Sequence, residues 1–339
     1  MLVAVLKRVL WICTLPPLIG TVVPMMPGVV PPALSIAKMN QDSMQIDSQV
    51  PGIGKVRPVF GVASPGAPND LGALNALALA VGSKPRLVTW YEHWGYDTNF
   101  PETEVSAVAA TGAVPEITWM PWQPLKVEDP AYTLDSITQG AHDPYINKWA
   151  RQVSAYGHPV VLRFAHEMNG DWYPWGVGVN GNDPGDFAAA WRHVHNVFSA
   201  TGATNVTWKW SPNVLWEDMD LRSLYPGDRF VDQVALDGYN WSTVKAGSSW
   251  QSFREVFEKS VTVVRDITHQ PLFIGEVGCP EVGGDKAAWI SDMFETLERH
   301  PEIGGFTWFD YDKETDWRVA SSRDSVASFT TGLRKYRYR

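Results

Sequence analysis

From Pro58 to the C-terminus eight short β-rich runs alternate with amphipathic stretches, and this rhythm limits the chain to very few architectures. The runs are Val59–Val62, Arg86–Tyr91, Val114–Trp119, Val160–His166, Val206–Trp210, Val234–Leu236, Leu272–Glu276 and Gly305–Phe309. Between them apolar residues recur at helical spacing. Asp70 can cap a helix that puts Leu71, Leu74, Leu77 and Ala78 on one face. The same spacing joins Ile146, Trp149, Ala150 and Val153; Phe187, Trp191, Val194 and Phe198; Phe253, Val256, Phe257, Val261 and Val264; and Ile290, Met293, Phe294 and Leu297. Eight strand–helix units with no Gly-rich phosphate turn after the first predict the α/β class and a closed (β/α)8 TIM barrel rather than an open sheet. Such a barrel uses about 250 residues, so a chain of 339 residues has some to spare.

The surplus lies at the front. Lys7 and Arg8 precede an apolar run from Val9 to Val23, and Ser35 and Ala37 offer small residues for cleavage, so residues 1–37 read as a signal peptide. The competing reading is an uncleaved N-terminal anchor. Residues 38–57 are polar and aperiodic, which makes them a linker, and the barrel domain runs over 58–339. This address implies an exported protein, secreted or held at the cell envelope. Membrane association is expected only if the leader stays attached. With Cys13 inside the leader, Cys279 is left alone and no internal disulfide is available. The formal charge of −9, from 37 acidic and 28 basic residues, repels phosphate backbones and argues against nucleic acid as a partner.

In a closed barrel the chemistry sits where the strands end. The fourth run, VVLRFAHEMNGDWYPWG, delivers His166 and Glu167, and the seventh, LFIGEVG, delivers Glu276. Strand alternation puts Leu272, Ile274 and Glu276 on one side, inward if the carboxylate points inward. Each acid could instead pair with a barrel cation such as Arg163. Two strand-end glutamates among aromatic residues favour chemistry. A pair of carboxyls can cleave a glycosidic bond, one kept protonated to serve the leaving oxygen and the other ionised to attack the anomeric carbon. The chain has 17 Trp, too many for core filling alone, and Trp90, Trp94, Trp119, Trp122, Trp172, Trp175, Trp241 and Trp308 all fall at or just past strand ends. Indole faces pack well on the C–H face of a pyranose, so these rings are expected to wall a sugar cleft.

The segment RFAHEMNGDWYPW, followed by GEVG on a later strand, resembles glycoside hydrolase family 26, best known for endo-β-1,4-mannanases, within a clan of retaining (β/α)8 hydrolases. The resemblance covers the barrel from about Pro58 onward. It implies Glu167 as acid/base and Glu276 as nucleophile, with His166 in the place where most of the clan has Asn. It further implies Trp172 near the cleavage point, Tyr239 of DGYNW as hydrogen-bond donor to the nucleophile, Trp308 of FTWFD beneath the sugar being cleaved, and His93 of WYEHWG in contact with sugar. The family's mannanases often follow the eighth-strand Trp with Arg, whereas this chain has Phe309 and then Asp310. The activity implied by the resemblance is endo-acting hydrolysis of β-1,4-mannan, with mixed-linkage β-glucan and β-1,3-xylan as alternative substrates. A binding protein with a retired active site is the rival from another class. In the retaining geometry the two carboxyls stand about 5–5.5 Å apart.

Several look-alike signals carry less. His166-Glu167-Met168-Asn169-Gly170 lacks the second His of a zinc protease helix. His193 and His195 are two apart on a helix and cannot share a metal. Cys279 has no His with a visible claim on it and reads as a buried inert thiol. No metal and no cofactor is implied.

Overall fold

The computed structural model describes residues 58–124 and 126–336. The expected leader (1–37) and linker (38–57) lie outside the described residues, as do 337–339. Eight strands, β1 (Val59–Ala63), β2 (Leu87–His93), β3 (Val114–Met120), β4 (Val160–Phe164), β5 (Val206–Trp210), β6 (Gln233–Tyr239), β7 (Leu272–Gly278) and β8 (Ile303–Phe309), close in sequence order into a parallel barrel. The helices are α1 (Gly72–Val81), α2 (Glu102–Ala110), α3 (Leu134–Thr138), α4 (Asp143–Tyr156), α5 (Asp186–Ala200), α6 (Phe253–Ile267), α7 (Lys286–Arg299) and α8 (Arg323–Tyr336). Their buried stripes follow the periodicity. Ile146, Trp149, Ala150 and Val153 are buried on α4, and Phe187, Trp191, Val194 and Phe198 on α5. Asp70 accepts a hydrogen bond from the Gly72 amide at 2.8 Å and so marks the start of α1, although Leu71 occupies the cap position.

The fifth unit departs from the rhythm. No α-helix follows β5; two short 3-10 turns, Leu221–Leu224 and Asp228–Phe230, take its place. Pro226 and Gly227 lie between them, and Gly227 has φ 104. A missing amide followed by a left-handed residue stops helical propagation.

Two strand irregularities aim the carboxylates. β4 ends at Phe164, two residues short of His166, because Ala165 (φ 44) and Glu167 (φ 54) turn into the left-handed region. Non-glycine residues held there carry strain of order 1–3 kcal/mol and cluster at functional sites. On β7, Leu236 of β6 pairs with Ile274 but Asp237 pairs with Glu276, so Gly275 is one extra residue, a bulge. Ile274 pairs with Phe306, whose ring packs on Phe294 of α7 and Phe329 of α8. Ile274 therefore faces the helices while Glu276 faces the barrel. The strict alternation that placed Leu272, Ile274 and Glu276 on one side does not hold, because the bulge changes the phase.

Most of the strand-end tryptophans cement the barrel to its helices. Trp90, Trp94, Trp119, Trp122, Trp175 and Trp308 are all at most 3% exposed. Trp119 packs on Tyr145 and Trp149 of α4, and Trp308 on Trp289 of α7 and Phe329 of α8. Only Trp172 and Trp241 of the eight are half-buried. The expected wall of sugar platforms is thus mostly core: Trp90, Trp119 and Trp308 take the positions on their strands that face the helix layer, and Trp122 and Trp175 pack on one another beyond the strand ends.

Candidate active site

Glu276 emerges from the β7 bulge into the barrel mouth and accepts three hydrogen bonds. The Tyr91 and Arg163 side chains donate to Oε1 at 2.7 and 2.5 Å, and the Tyr239 hydroxyl donates to Oε2 at 2.5 Å. Arg163 is completely buried. One of its terminal nitrogens donates to both Asp237 oxygens at 3.0 Å, and Nε and the other nitrogen donate to the Thr118 hydroxyl at 2.9 and 2.7 Å. The pairing with Arg163 that sequence offered as an alternative to function is therefore real, and it fixes the carboxylate within the mouth. Ser211 completes the Asp237 shell with a bond of 2.9 Å. The bulge residue has to be glycine, because a β-carbon there would collide with the Asp237 carboxylate.

Glu167 is held from the other side. Its amide donates to the Ser211 carbonyl at 2.7 Å, which fixes the left-handed backbone. Its Oε1 accepts from Asn213 at 2.6 Å and its Oε2 from the Trp172 indole at 2.8 Å. Asn169 holds Asn213 in turn, donating to its carbonyl at 2.9 Å and accepting from its amide at 2.8 Å. A side chain at Gly170 would run into the Trp172 ring, so HEMNGDW is a unit that places the indole on the carboxyl. Burial, aided by the negative charge of Glu276, pushes the Glu167 carboxyl up to about 7, against the opposing bonds from Asn213 and Trp172. This group is half protonated near neutral pH.

A cleft lined by Tyr91, His166, Glu167, Tyr173, Glu276, Phe309 and Lys313 brings the two carboxyls together. His166 packs against Tyr91 and Tyr173, and its Nδ1 is buried without a protein partner. Burial holds its imidazole well below the usual histidine range, so the ring is neutral. Of the residues expected at the site, Glu167, Glu276, His166, Trp172 and Tyr239 meet here. His93 sits outside the lining, stacked on Trp122 at 5.8 Å, and burial lowers its pKa to about 4. Trp308 does not reach the cleft. It is fully buried on the helix side, its indole donates to the Trp317 carbonyl at 2.9 Å, and the next residue, Phe309, lines the cleft instead.

Sequence reasoning did not single out Tyr91, Asn213, Asp237, Lys313 or the exposed Trp216, and it marked Phe309 only as a departure from the family's Arg. Tyr91 was legible in principle, because it alternates with Thr89 on β2 and Thr89 bonds to the interior Glu116. Asn213 and Trp216 lie in the irregular stretch after β5, where no periodicity marks a direction. Cys279 is buried, and its thiol is pushed up to about 12 by that burial, which leaves it unreactive.

Comparison with known proteins agrees with this geometry. The sequence model of glycosyl hydrolase family 26 matches residues 127–280, the stretch that carries both Glu167 and Glu276. Endoglucanase H of Acetivibrio thermocellus is 36% identical over 260 residues, which cover 74% of this chain and 28% of that protein. The mannan endo-1,4-beta-mannosidase A and B of Caldalkalibacillus mannanilyticus is 38% identical over 130 residues, 37% of this chain and 23% of that protein. The chain thus spans about a quarter of the length of either curated relative. Among solved structures, a GH26 beta-mannanase from Bacteroides ovatus superposes with a TM-score of 0.62 at 17% identity, over 84% of this chain and 90% of that one. At that identity the likeness speaks for the barrel alone. With a barrel of matching fold and a family match that spans both strand-end glutamates, the chain is similar to glycosyl hydrolase family 26 over the stretch that builds this site.

Proposed function

We propose that this chain is a retaining endo-acting glycoside hydrolase, with Glu276 as nucleophile and Glu167 as acid/base. The observation that carries the proposal is the contrast between two facing carboxyls. Glu167 is buried and titrates at about 7, while Glu276 is clamped by a guanidinium and two phenols. Glu276 attacks the anomeric carbon as the Glu167 proton passes to the leaving oxygen and the glycosidic bond breaks. Esterification removes the negative charge of Glu276, which is one of the two causes that hold Glu167 protonated. The Glu167 carboxyl then becomes more acidic, and as carboxylate it takes a proton from the water that releases the sugar. His166, Trp172 and Tyr239 position sugar and carboxyls; His93 acts from the row behind.

β-1,4-Mannan is the first substrate, on the family resemblance and on the mannosidase-named relative. Mixed-linkage β-glucan is the second reading, favoured by the longer match to a protein named endoglucanase, over 260 residues against 130. Their sugars differ at one hydroxyl configuration, and the mixed-linkage polymer carries β-1,3 bonds as well as β-1,4 bonds. Export to the medium or the envelope is part of the proposal, on the N-terminal apolar run alone.

The test is product analysis on galactomannan, glucomannan and barley β-glucan, beside Glu276→Ala, with the anomer of the first product followed by NMR. Short oligosaccharides of retained configuration, from the wild type only, are expected. Inverted product or an active Glu276→Ala would overturn the mechanism. Gluco-oligosaccharides alone would select the second substrate, and no product from any polymer would favour a binding protein.

A further inference from the structure

Beyond the carboxyl pair, one exposed tryptophan adjoins the site. Among the described residues the large exposed hydrophobics are Leu79, Tyr96, Trp216 and Val282, and Trp216, at 53% exposure, is the sole tryptophan among them. Its ring centroid lies 5.4 Å from that of Trp172, with the two planes 38° apart, and Trp172 is the residue whose indole donates to Glu167.

The backbone presents Trp216 rigidly. Each of the three residues before it is anchored: Asn213 to Asn169, Val214 through its amide to the Asp237 carbonyl at 2.8 Å, and Leu215 through its amide to the Ser260 hydroxyl of α6 at 2.8 Å. The segment that binds Glu167 through Asn213 therefore also fixes where the indole stands. A tryptophan left half in water costs the hydrophobic stabilisation its burial would give, and a fixed exposed ring adjoining a cleft is the form a binding platform takes.

We propose that Trp216 is a sugar platform on the leaving-group side of the cleft, one ring beyond Trp172. The assignment rests on Glu167 being the acid that protonates the leaving oxygen. Because Trp172 touches that carboxyl, the first departing sugar lies beside Trp172, and the next meets Trp216. Phe309 at the end of β8 and Lys313 beyond it line the same cleft as the two carboxyls.

The experiment compares the whole protein with Trp216→Ala and Trp216→Phe on three probes. These are the polysaccharide that the wild type hydrolyses, an isotope-labelled hexaose of that sugar, and its 4-nitrophenyl oligosaccharide, whose leaving group is too short to reach Trp216. For Trp216→Ala, kcat/KM on the polysaccharide is expected to fall roughly tenfold, equivalent to about 1.4 kcal/mol. Cleavage of the labelled hexaose should shift away from bonds that leave two or more sugars on the departing side. The loss on the nitrophenyl substrate should be markedly smaller, and Trp216→Phe should recover most of the difference. Equal losses on all probes, or an unchanged hexaose pattern, would overturn the platform while leaving the hydrolase intact. A wild type that cleaves none of the probes would overturn the proposed function and this assignment with it.

Discussion

Glu167 shows how one residue can be made both reactive and costly to the fold. Its carboxyl rises from an ordinary 4.5 to about 7 because it is buried and faces Glu276. Between those two values the native state holds a proton that the unfolded chain has released, so stability falls as pH rises through that window. Glu167→Gln removes the penalty. It is expected to abolish turnover on polysaccharide and to be more stable than the wild type at pH 8, on the order of 1–3 kcal/mol. At pH 4, below both values, the two proteins should melt alike. Urea melts at the two pH values check this, and an unchanged difference between them would remove the link to ionisation. At this scale the sequence was most legible: both glutamates, His166, Trp172 and Tyr239 stand at strand ends in recognisable motifs. Trp308 misled because its neighbour in sequence, Phe309, takes the inward position, and a one-residue change of face is invisible without a fixed phase.

Strands and helices were readable because each must bury a face, and burial leaves a period. All eight strands lie where the β-rich runs predicted them, to within a few residues. The features that aim the chemistry break the period instead. The turn after Phe164 carries Glu167 past the end of β4 on a left-handed backbone, and the bulge at Gly275 moves Glu276 to the face that strict alternation denies it. Gly275→Ala tests the second device. The added methyl meets the Asp237 carboxylate, with Ser211 Oγ at 2.9 Å and the Ala235 Cβ at 3.0 Å. A stability loss of about 1–3 kcal/mol is expected from overpacking. Because Asp237 anchors Arg163 and through it Glu276, kcat should fall at least about tenfold. Near-normal kcat in a folded variant would show that the bulge does not position Glu276 for turnover.

At the scale of the whole barrel, the interior is held by charge as well as by apolar packing. Lys209 of β5 pairs with Glu116 of β3, and Arg163 of β4 joins Asp237 of β6 and Glu276 of β7, so buried ions tie together five of the eight strands. Breaking such a pair by removing one partner leaves an uncompensated buried charge. Glu116→Ala, which strands the Lys209 ammonium at 1% exposure, is expected to destabilise the protein by about 3–5 kcal/mol. A Glu116→Met, Lys209→Met double variant should recover most of that loss in urea melts; failure to recover would mean that the pair does more than neutralise itself. The sequence by itself determined the barrel, its strand order and the two glutamates, because periodic burial and compact motifs are local in the chain. Only the tertiary structure decided which tryptophans are core, which side of β7 and β8 looks into the cleft, and that Tyr91, Asp237 and Arg163 converge on Glu276. Those outcomes depend on register between strands distant in sequence. A bulge or a left-handed residue resets that register without changing the composition around it.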